Sequence, residues 1–202
     1  MSKLDLRKEL KQYYTAKKKP EIIVVPPGRF LTIVGKGDPN GEEYQNALQA
    51  LYGLSYTLKF KSKADGRDFT VMALEGLWWI DEGVFDLENP APRGTWNWKS
   101  MIRQPDFITE EMVEESKLSV REKRGSTVDK VRLETFNEGL SAQILHRGPY
   151  SDEGPTIRKL HDFVTESGYI LRDDHHEIYL SDPRRSKPEN IKTIIRHPIE
   201  KK

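Results

Sequence analysis

The sequence predicts an α+β fold: a strand–helix–strand–strand module occurs twice and builds a largely antiparallel sheet, with helices on one face and a ligand cleft on the other. Three observations predict it. Two amphipathic stretches, around Tyr44–Leu58 and Ile157–Val164, carry apolar residues at helical spacing, and each follows a strand-like run ending in Gly and Pro (Ile33-Val34-Gly35-Lys36-Gly37-Asp38-Pro39 and Ile144-Leu145-His146-Arg147-Gly148-Pro149). After each helix comes a strand with a central glutamate, Leu74-Glu75-Gly76-Leu77 in one half and His176-Glu177-Ile178-Tyr179 in the other. The same order of elements occupies residues of about 30–104 and 131–199.

The elements follow in order. Residues 1–20 read as a short helix, with Leu6, Leu10 and Tyr14 spaced four apart, and a solvated basic linker, Lys17-Lys18-Lys19-Pro20. Residues 21–202 read as one domain. Ile22–Val25 is a β-branched strand stopped by Pro26-Pro27, and Phe30–Val34 is a second strand. Asn40 stands as N-cap with Glu43 completing a capping box for the helix carrying Tyr44, Ala47, Leu48, Leu51, Ser55 and Leu58. Phe69–Ile80 reads as a strand, Asp81–Gly94 as an irregular loop around Asn89-Pro90-Ala91-Pro92, and Thr95–Arg103 as a strand. Thr109 caps a helix whose first turn holds Glu110 and Glu111, where anions are favoured, and Gly125 stops it. Val131–Phe136 and Leu140–His146 are expected to pair as a hairpin around Asn137-Glu138-Gly139. Pro155 suits the first turn of the last long helix and Gly168 its C-cap. His175–Leu180 and Ile191–Pro198 are the closing strands.

Composition narrows the function. Of 202 residues 36% are hydrophobic and 32% charged, with a net charge of +1, so there is enough apolar content for a core and no net field toward nucleic acid or an anionic membrane. The chain has no cysteine, which removes disulfides, thiolate-bound zinc and thiol catalysis together. The N-terminus Met1–Leu10 lacks the apolar core of a secretory signal, and the expected location is the cytoplasm.

Strand alternation nominates a site. In His175–Leu180, the set His176, Ile178 and Leu180 is expected to meet the helices, leaving His175, Glu177 and Tyr179 on the open face. The same reasoning turns Met72, Leu74 and Trp78 toward the helices and places Glu75, Leu77 and Trp79 beside Glu177. Trp96 and Trp98 share a face and offer an aromatic wall. A carboxylate among rings has a useful pKa: desolvation raises it, a bound cation lowers it, and aromatic faces attract cations. Such a group either counters a cationic ligand or acts as a general base.

Other chemistries fare worse. His175-His176-Glu177 looks metal-like, but neighbouring strand residues point to opposite faces, so no metal site is expected. Gly35-Lys36-Gly37 lacks the later glycine of a dinucleotide fingerprint, there is no Gly-x-Ser-x-Gly elbow, and no cofactor is expected. The basic groups Arg121–Arg124 and Arg184-Arg185 read as solvated surface.

The chain resembles the GyrI-like family of the SOUL/GyrI group over about Phe30–Ile199. The resemblance is carried by Leu74-Glu75-Gly76-Leu77-Trp78-Trp79, Trp96-Asn97-Trp98, His146-Arg147-Gly148-Pro149-Tyr150, and His175-His176-Glu177-Ile178-Tyr179-Leu180-Ser181-Asp182-Pro183. It implies that Glu177 points into a cleft between the two repeats. Some family members are ligand-sensing halves of multidrug-responsive regulators, others inhibit DNA gyrase, and a free-standing subgroup opens the strained cyclopropane of DNA-alkylating natural products. No helix-turn-helix precedes the module here, so direct DNA reading is not expected. The resemblance to the subgroup implies a detoxifying hydrolase with Glu177 as general base and Tyr179 orienting the reacting group or donating a proton. Glu75, Trp79, Trp96, Trp98, Tyr150 and His175 make up the expected ligand-binding set. The alternatives are a non-catalytic sensor or sequestering module for lipophilic cations, and a gyrase-inhibitor-like interaction protein.

Overall fold

In the computed structural model, which describes residues 3–82, 85 and 90–202, the backbone is organised by a palindromic sheet. The strands are β1 (Glu21–Val25), β2 (Gly28–Lys36), β3 (Leu74–Trp79), β4 (Asn97–Arg103), β5 (Arg132–Phe136), β6 (Gly139–Arg147), β7 (Tyr169–Leu171), β8 (His175–Tyr179) and β9 (Lys192–Lys201). They lie in the order β1-β6-β9-β8-β3-β4-β2-β5, with β7 added on β9. The named strands pair antiparallel throughout. Reading the order from either end exchanges β1 with β5, β6 with β2, β9 with β4 and β8 with β3, so the duplication is visible in the topology and the two halves meet at the β3–β8 seam. The structural repeat is longer than the sequence suggests: each half opens with an additional strand, β1 or β5, that leaves its own module and pairs with the other.

This crossing overturns the expected hairpin. β5 pairs with β2 and β6 with β1, not with each other. Between them Glu138 is buried and tied to His176 and Arg196, which draws the connection toward the sheet and separates strands that a tight turn would have joined. Gly139 follows at φ +71°, where a side chain would be strained. The equivalent connection, Pro26-Pro27, has no N–H to offer a ladder. The result is a curled sheet resembling half a barrel.

The helices are α1 (Leu6–Glu9), α2 (Glu42–Ala64), α3 (Glu110–Arg124) and α4 (Gly154–Glu166). α2 presents Tyr44, Ala47, Leu51, Leu54 and Leu58 to Leu31, Ile33 and Ile102 of the sheet, and α3 packs on α2. α4 buries Ile157, Leu160 and Val164 against Ala142, Ile144 and Ile195. Burying each such aliphatic side chain stabilises the fold by about 1.5–3 kcal/mol. Thr109 caps α3 through a bond from the Met112 amide at 3.2 Å, and Gly125 ends it at φ +81°, as the sequence predicts. The α2 start differs: Gly41 is the N-cap, and Asn40 instead donates its amide to Asp38 Oδ1, so Asp38 forms the local turn that the expected Asn40 capping box would have replaced.

Facing register pairs share a sheet face. Gly76, Trp78, Trp98, Ser100, Glu177, His175, Tyr179, Thr193 and Ile195 therefore lie on the outer face, toward the helices, and Glu75, Leu77, Trp79, Met101, His176, Ile178, Gln143 and Arg196 on the inner face. The inner face is not open. Phe30, Leu77 and Met101 are buried there with Trp79 and Phe136 against them, and the N-terminal segment runs across it. Leu4 bonds Asp68 and Thr70 through its backbone, Tyr14 is 3% exposed, and the expected continuous helix is broken into α1 and a 3-10 turn at Lys11–Tyr13 that delivers Tyr14 inward. No helix among the described residues is long and apolar enough to cross a membrane.

Candidate functional site

Glu177 lies on β8 at the seam, opposite Gly76 of β3. It is 6% exposed. His175 and Tyr179, two residues before and after it, point the same way because strand side chains alternate. His175 Nε2–H donates to Glu177 Oε1 at 3.1 Å, and the Tyr179 hydroxyl donates to Oε2 at 2.8 Å. Trp78 Nε1–H donates across the seam to the Tyr179 hydroxyl at 3.0 Å. Burial by itself would raise the Glu177 pKa. The bond and charge of His175, then the bond from Tyr179, outweigh it and hold Glu177 below the ordinary glutamate value. Burial, then the Glu177 charge, pushes the Tyr179 hydroxyl well up, so Tyr179 remains a donor.

The second carboxyl of the site is Glu153, which the sequence reading missed. It ends the 3-10 turn Tyr150–Asp152 and is the N-cap residue of α4, with helical backbone angles of φ −72° and ψ −25°. Its side chain caps no amide of the helix and is fully buried. Neither oxygen has a hydrogen bond of standard geometry, yet the group faces Glu177 and Thr193 closely; burial first, and the Glu177 charge second, drive its pKa well above the ordinary range. Two buried carboxyls thus share a site with opposite tendencies: His175 and Tyr179 hold Glu177 below the ordinary glutamate value, while burial and the Glu177 charge drive Glu153 above it against the opposing pull of Thr193. His146 fixes the turn that delivers Glu153, with Nδ1 at 2.9 Å from Thr156 Oγ1 and Nε2 at 3.3 Å from the Pro149 carbonyl.

Aromatic rings surround the pair. Tyr44 of α2 packs edge-on to Trp98 at 5.0 Å and tilted on Trp78 at 5.7 Å. Phe85 stacks on His175 at 5.5 Å and meets Trp96 edge-on at 5.0 Å. Tyr150 lies edge-on to Tyr179 at 5.6 Å and is the outermost ring, 36% exposed. Gly35 gives Trp98 its place, since an added Cβ would stand 2.2 Å from the indole. Tyr44 in the first turn of α2 and Glu153 at the start of α4 bring the beginnings of both helices to the site.

The structure brings Glu177, Tyr179, His175, Trp96, Trp98 and Tyr150 into one region and separates Glu75 and Trp79 from it. Glu75 pairs with Ile178 in register and Trp79 with Asn97, both on the inner face. The assignment of faces from apolarity therefore inverts for β8: Ile178 turns away from the helices and Glu177 toward them. The reason is that both faces are covered, so polarity no longer marks the exposed side. Trp78, expected only as core, is core and also a donor to the site. Tyr44 and Phe85 complete the ring set; Tyr44 carried only a helix-face signal and Phe85 none. Asn89 of the expected loop lies outside the described residues. Among the described residues no group of three or more His, Cys, Asp or Glu could hold a metal ion.

A duplicated α+β sheet with a sheltered, ring-lined carboxyl pair at the seam defines a protein of the small-molecule-binding class. The chain belongs to the GyrI-like family: the GyrI-like small molecule binding domain matches residues 18–200. A crystal structure of an uncharacterized conserved protein from Listeria innocua is 45% identical, superposes with a TM-score of 0.90, and covers 98% of this chain and 100% of its own. A Listeria innocua protein described as a hydrolase is likewise 45% identical, with a TM-score of 0.88 and the same coverage. The EcmrR C-terminal domain shares the fold at 13% identity and a TM-score of 0.59, over 91% of this chain and 98% of its own. No curated protein matches the chain in sequence.

Proposed function

We propose that the protein hydrolyses a strained, electrophilic small molecule, with Glu177 and Glu153 working as a base and acid that share one proton. The observation that carries this reading is the pair itself, two buried carboxyls facing each other among aromatic rings, one lowered by its hydrogen-bond donors and the other raised by burial. The two Listeria innocua proteins described as hydrolases, 45% and 44% identical, support the reaction class.

The steps balance without a cofactor. Glu177 removes a proton from a water molecule as its oxygen bonds to the ring carbon of a cyclopropane conjugated to a carbonyl. The strained C–C bond breaks and its electron pair passes to the carbonyl oxygen, which takes the Glu153 proton. The proton gained by Glu177 then returns to Glu153, and the net change is addition of one water. Ring strain supplies much of the driving force, so positioned proton transfer worth about 10²–10⁴-fold is the contribution required. Tyr179 and His175 hold Glu177 by hydrogen bonds already made, and Tyr44, Tyr150, Trp96 and Trp98 present faces to a planar substrate. This is a detoxifying role, consistent with a xenobiotic electrophile.

A second reading rests on the same Glu177 charge and rings: sequestration of a lipophilic cation without turnover. Incubation with a panel of cyclopropane alkylators and aromatic cations, followed by mass spectrometry, separates the two. Products heavier by one water, lost in Glu177→Gln while ligand still binds, support hydrolysis. Binding of cations with every compound recovered unchanged overturns it.

A further inference from the structure

The inner face beneath the site holds an array that the proposed chemistry does not use. The Tyr14 hydroxyl donates to Glu75 Oε1 at 2.7 Å. His176 donates from Nε2 to Glu75 Oε2 at 3.1 Å and from Nδ1 to Glu138 Oε1 at 2.7 Å. Arg196 donates from Nη1 to Glu138 Oε2 at 2.9 Å, from Nε to Gln143 Oε1 at 3.2 Å, and onward to the Tyr13 carbonyl. Gln143 in turn donates to the Thr15 carbonyl at 3.2 Å. The members are buried, and only about 10 Å³ of free space remains among them, no more than one water.

The placement of this array matters more than its charges. Glu75 and His176 lie on the two strands of the seam, adjacent in sequence to Gly76 and Glu177. The bond between them crosses the seam on the inner face, as the Trp78–Tyr179 bond crosses it on the outer face. Glu138, Arg196 and Gln143 extend the tie to β6 and β9. The N-terminal segment supplies its last members, and residues 3–17 lie outside the matched family domain.

We infer that Glu75, His176 and the N-terminal segment that covers them form a positioning device, which fixes the β3–β8 spacing and thereby holds Tyr179 on Glu177. The inference rests on the proposed function only for the importance of Glu177. Burial would lower the His176 pKa, but Glu138 and then Glu75 outweigh it and raise it to about 9, so the device keeps its imidazolium through neutral pH. The groups facing His176 are Glu75 from β3, Glu138 from the connection before β6, Arg196 from β9 through Glu138, and Tyr14 from the N-terminal segment, which Arg103 of β4 approaches.

The test uses the full chain and no substrate, so it stands apart from any failure of the hydrolase reading. The Trp78 indole N–H signal, assigned with Trp78→Phe, is followed by NMR across pH while circular dichroism monitors the fold. In the native protein the signal moves with a midpoint near pH 9, as His176 loses its proton. In Glu75→Gln that midpoint falls by about one unit or more, since an opposing charge is removed. In Tyr14→Phe the indole proton exchanges with solvent about fivefold faster, the loss of one hydrogen bond's worth of closure. A Trp78 signal with the same midpoint in Glu75→Gln and the same exchange rate in Tyr14→Phe overturns the inference.

Discussion

Trp78 and Tyr179 lie on different repeats and are joined by an indole N–H to phenol oxygen bond of 3.0 Å, and that phenol is also a donor to Glu177. The duplicated halves are therefore stitched together at the carboxylate the site depends on. Tyr179→Phe tests the stitch. It strands a buried indole donor and removes one of the donors that keep Glu177 ionised. The expected cost is about 1–2 kcal/mol of stability by denaturant titration. The Glu177 pKa should also rise, seen as a shift of the acidic limb of turnover to higher pH.

Gly76 bears on the same bond from below. A Cβ there would stand 2.9 Å from Trp78 Nε1 and 3.1 Å from the Tyr179 hydroxyl. Both are atoms of the hydrogen bond, so the clash cannot relax without lengthening it. Gly76→Ala should cost about 1–3 kcal/mol, as overpacking does, and should reduce turnover or ligand affinity by more than Tyr150→Phe, which leaves that bond intact. Equal effects of the two variants would place the sensitivity elsewhere.

The contributions of His176, His197 and Glu138 to stability together peak near neutral pH, with a different cause on each side, while Glu153, raised by burial, works against the acid limb because its own contribution is lost as pH rises above 4.5. His176 is raised to about 9 from 6.5, so its contribution is full below pH 6.5 and is lost as pH climbs through 9. His197, buried beside His175 and His161, is lowered by burial first to about 3; its contribution is full above pH 6.5 and is lost as pH falls toward 3. Glu138 is held at about 2: burial opposes this, but the charges of His176 and Arg196 prevail, so its contribution is full above pH 4.5 and is lost as pH falls toward 2. Urea titrations at a series of pH values check this. His197→Gln should flatten the decline between pH 6.5 and 4 and leave the alkaline decline unchanged.

Much of this architecture was legible in the residues. The helical spacing of Tyr44 to Leu58, the Thr109 cap, the Gly125 stop and the i, i+2 relation of His175, Glu177 and Tyr179 are local signals, and the structure keeps them. The misreadings arose where distant contacts decide. Alternation puts Glu177 opposite His176 but cannot say which side the helices take once the N-terminal segment buries the other. The β5–β6 hairpin failed because Glu138 is claimed by His176 and Arg196, 38 and 58 residues away. Glu153 is an acidic residue beside Gly154-Pro155 with no periodicity to mark it, and its burial exists only after α4 docks against β6 and β7.

The proposed chemistry requires a protonated Glu153 beside an ionised Glu177, and infrared difference spectroscopy reads that state directly. At neutral pH the native protein should show the carbonyl stretch of a buried, protonated carboxylic acid, sensitive to deuterium exchange, and the band should vanish in Glu153→Gln. A native spectrum without the band, or a band that survives in Glu153→Gln, would contradict the shared-proton pair.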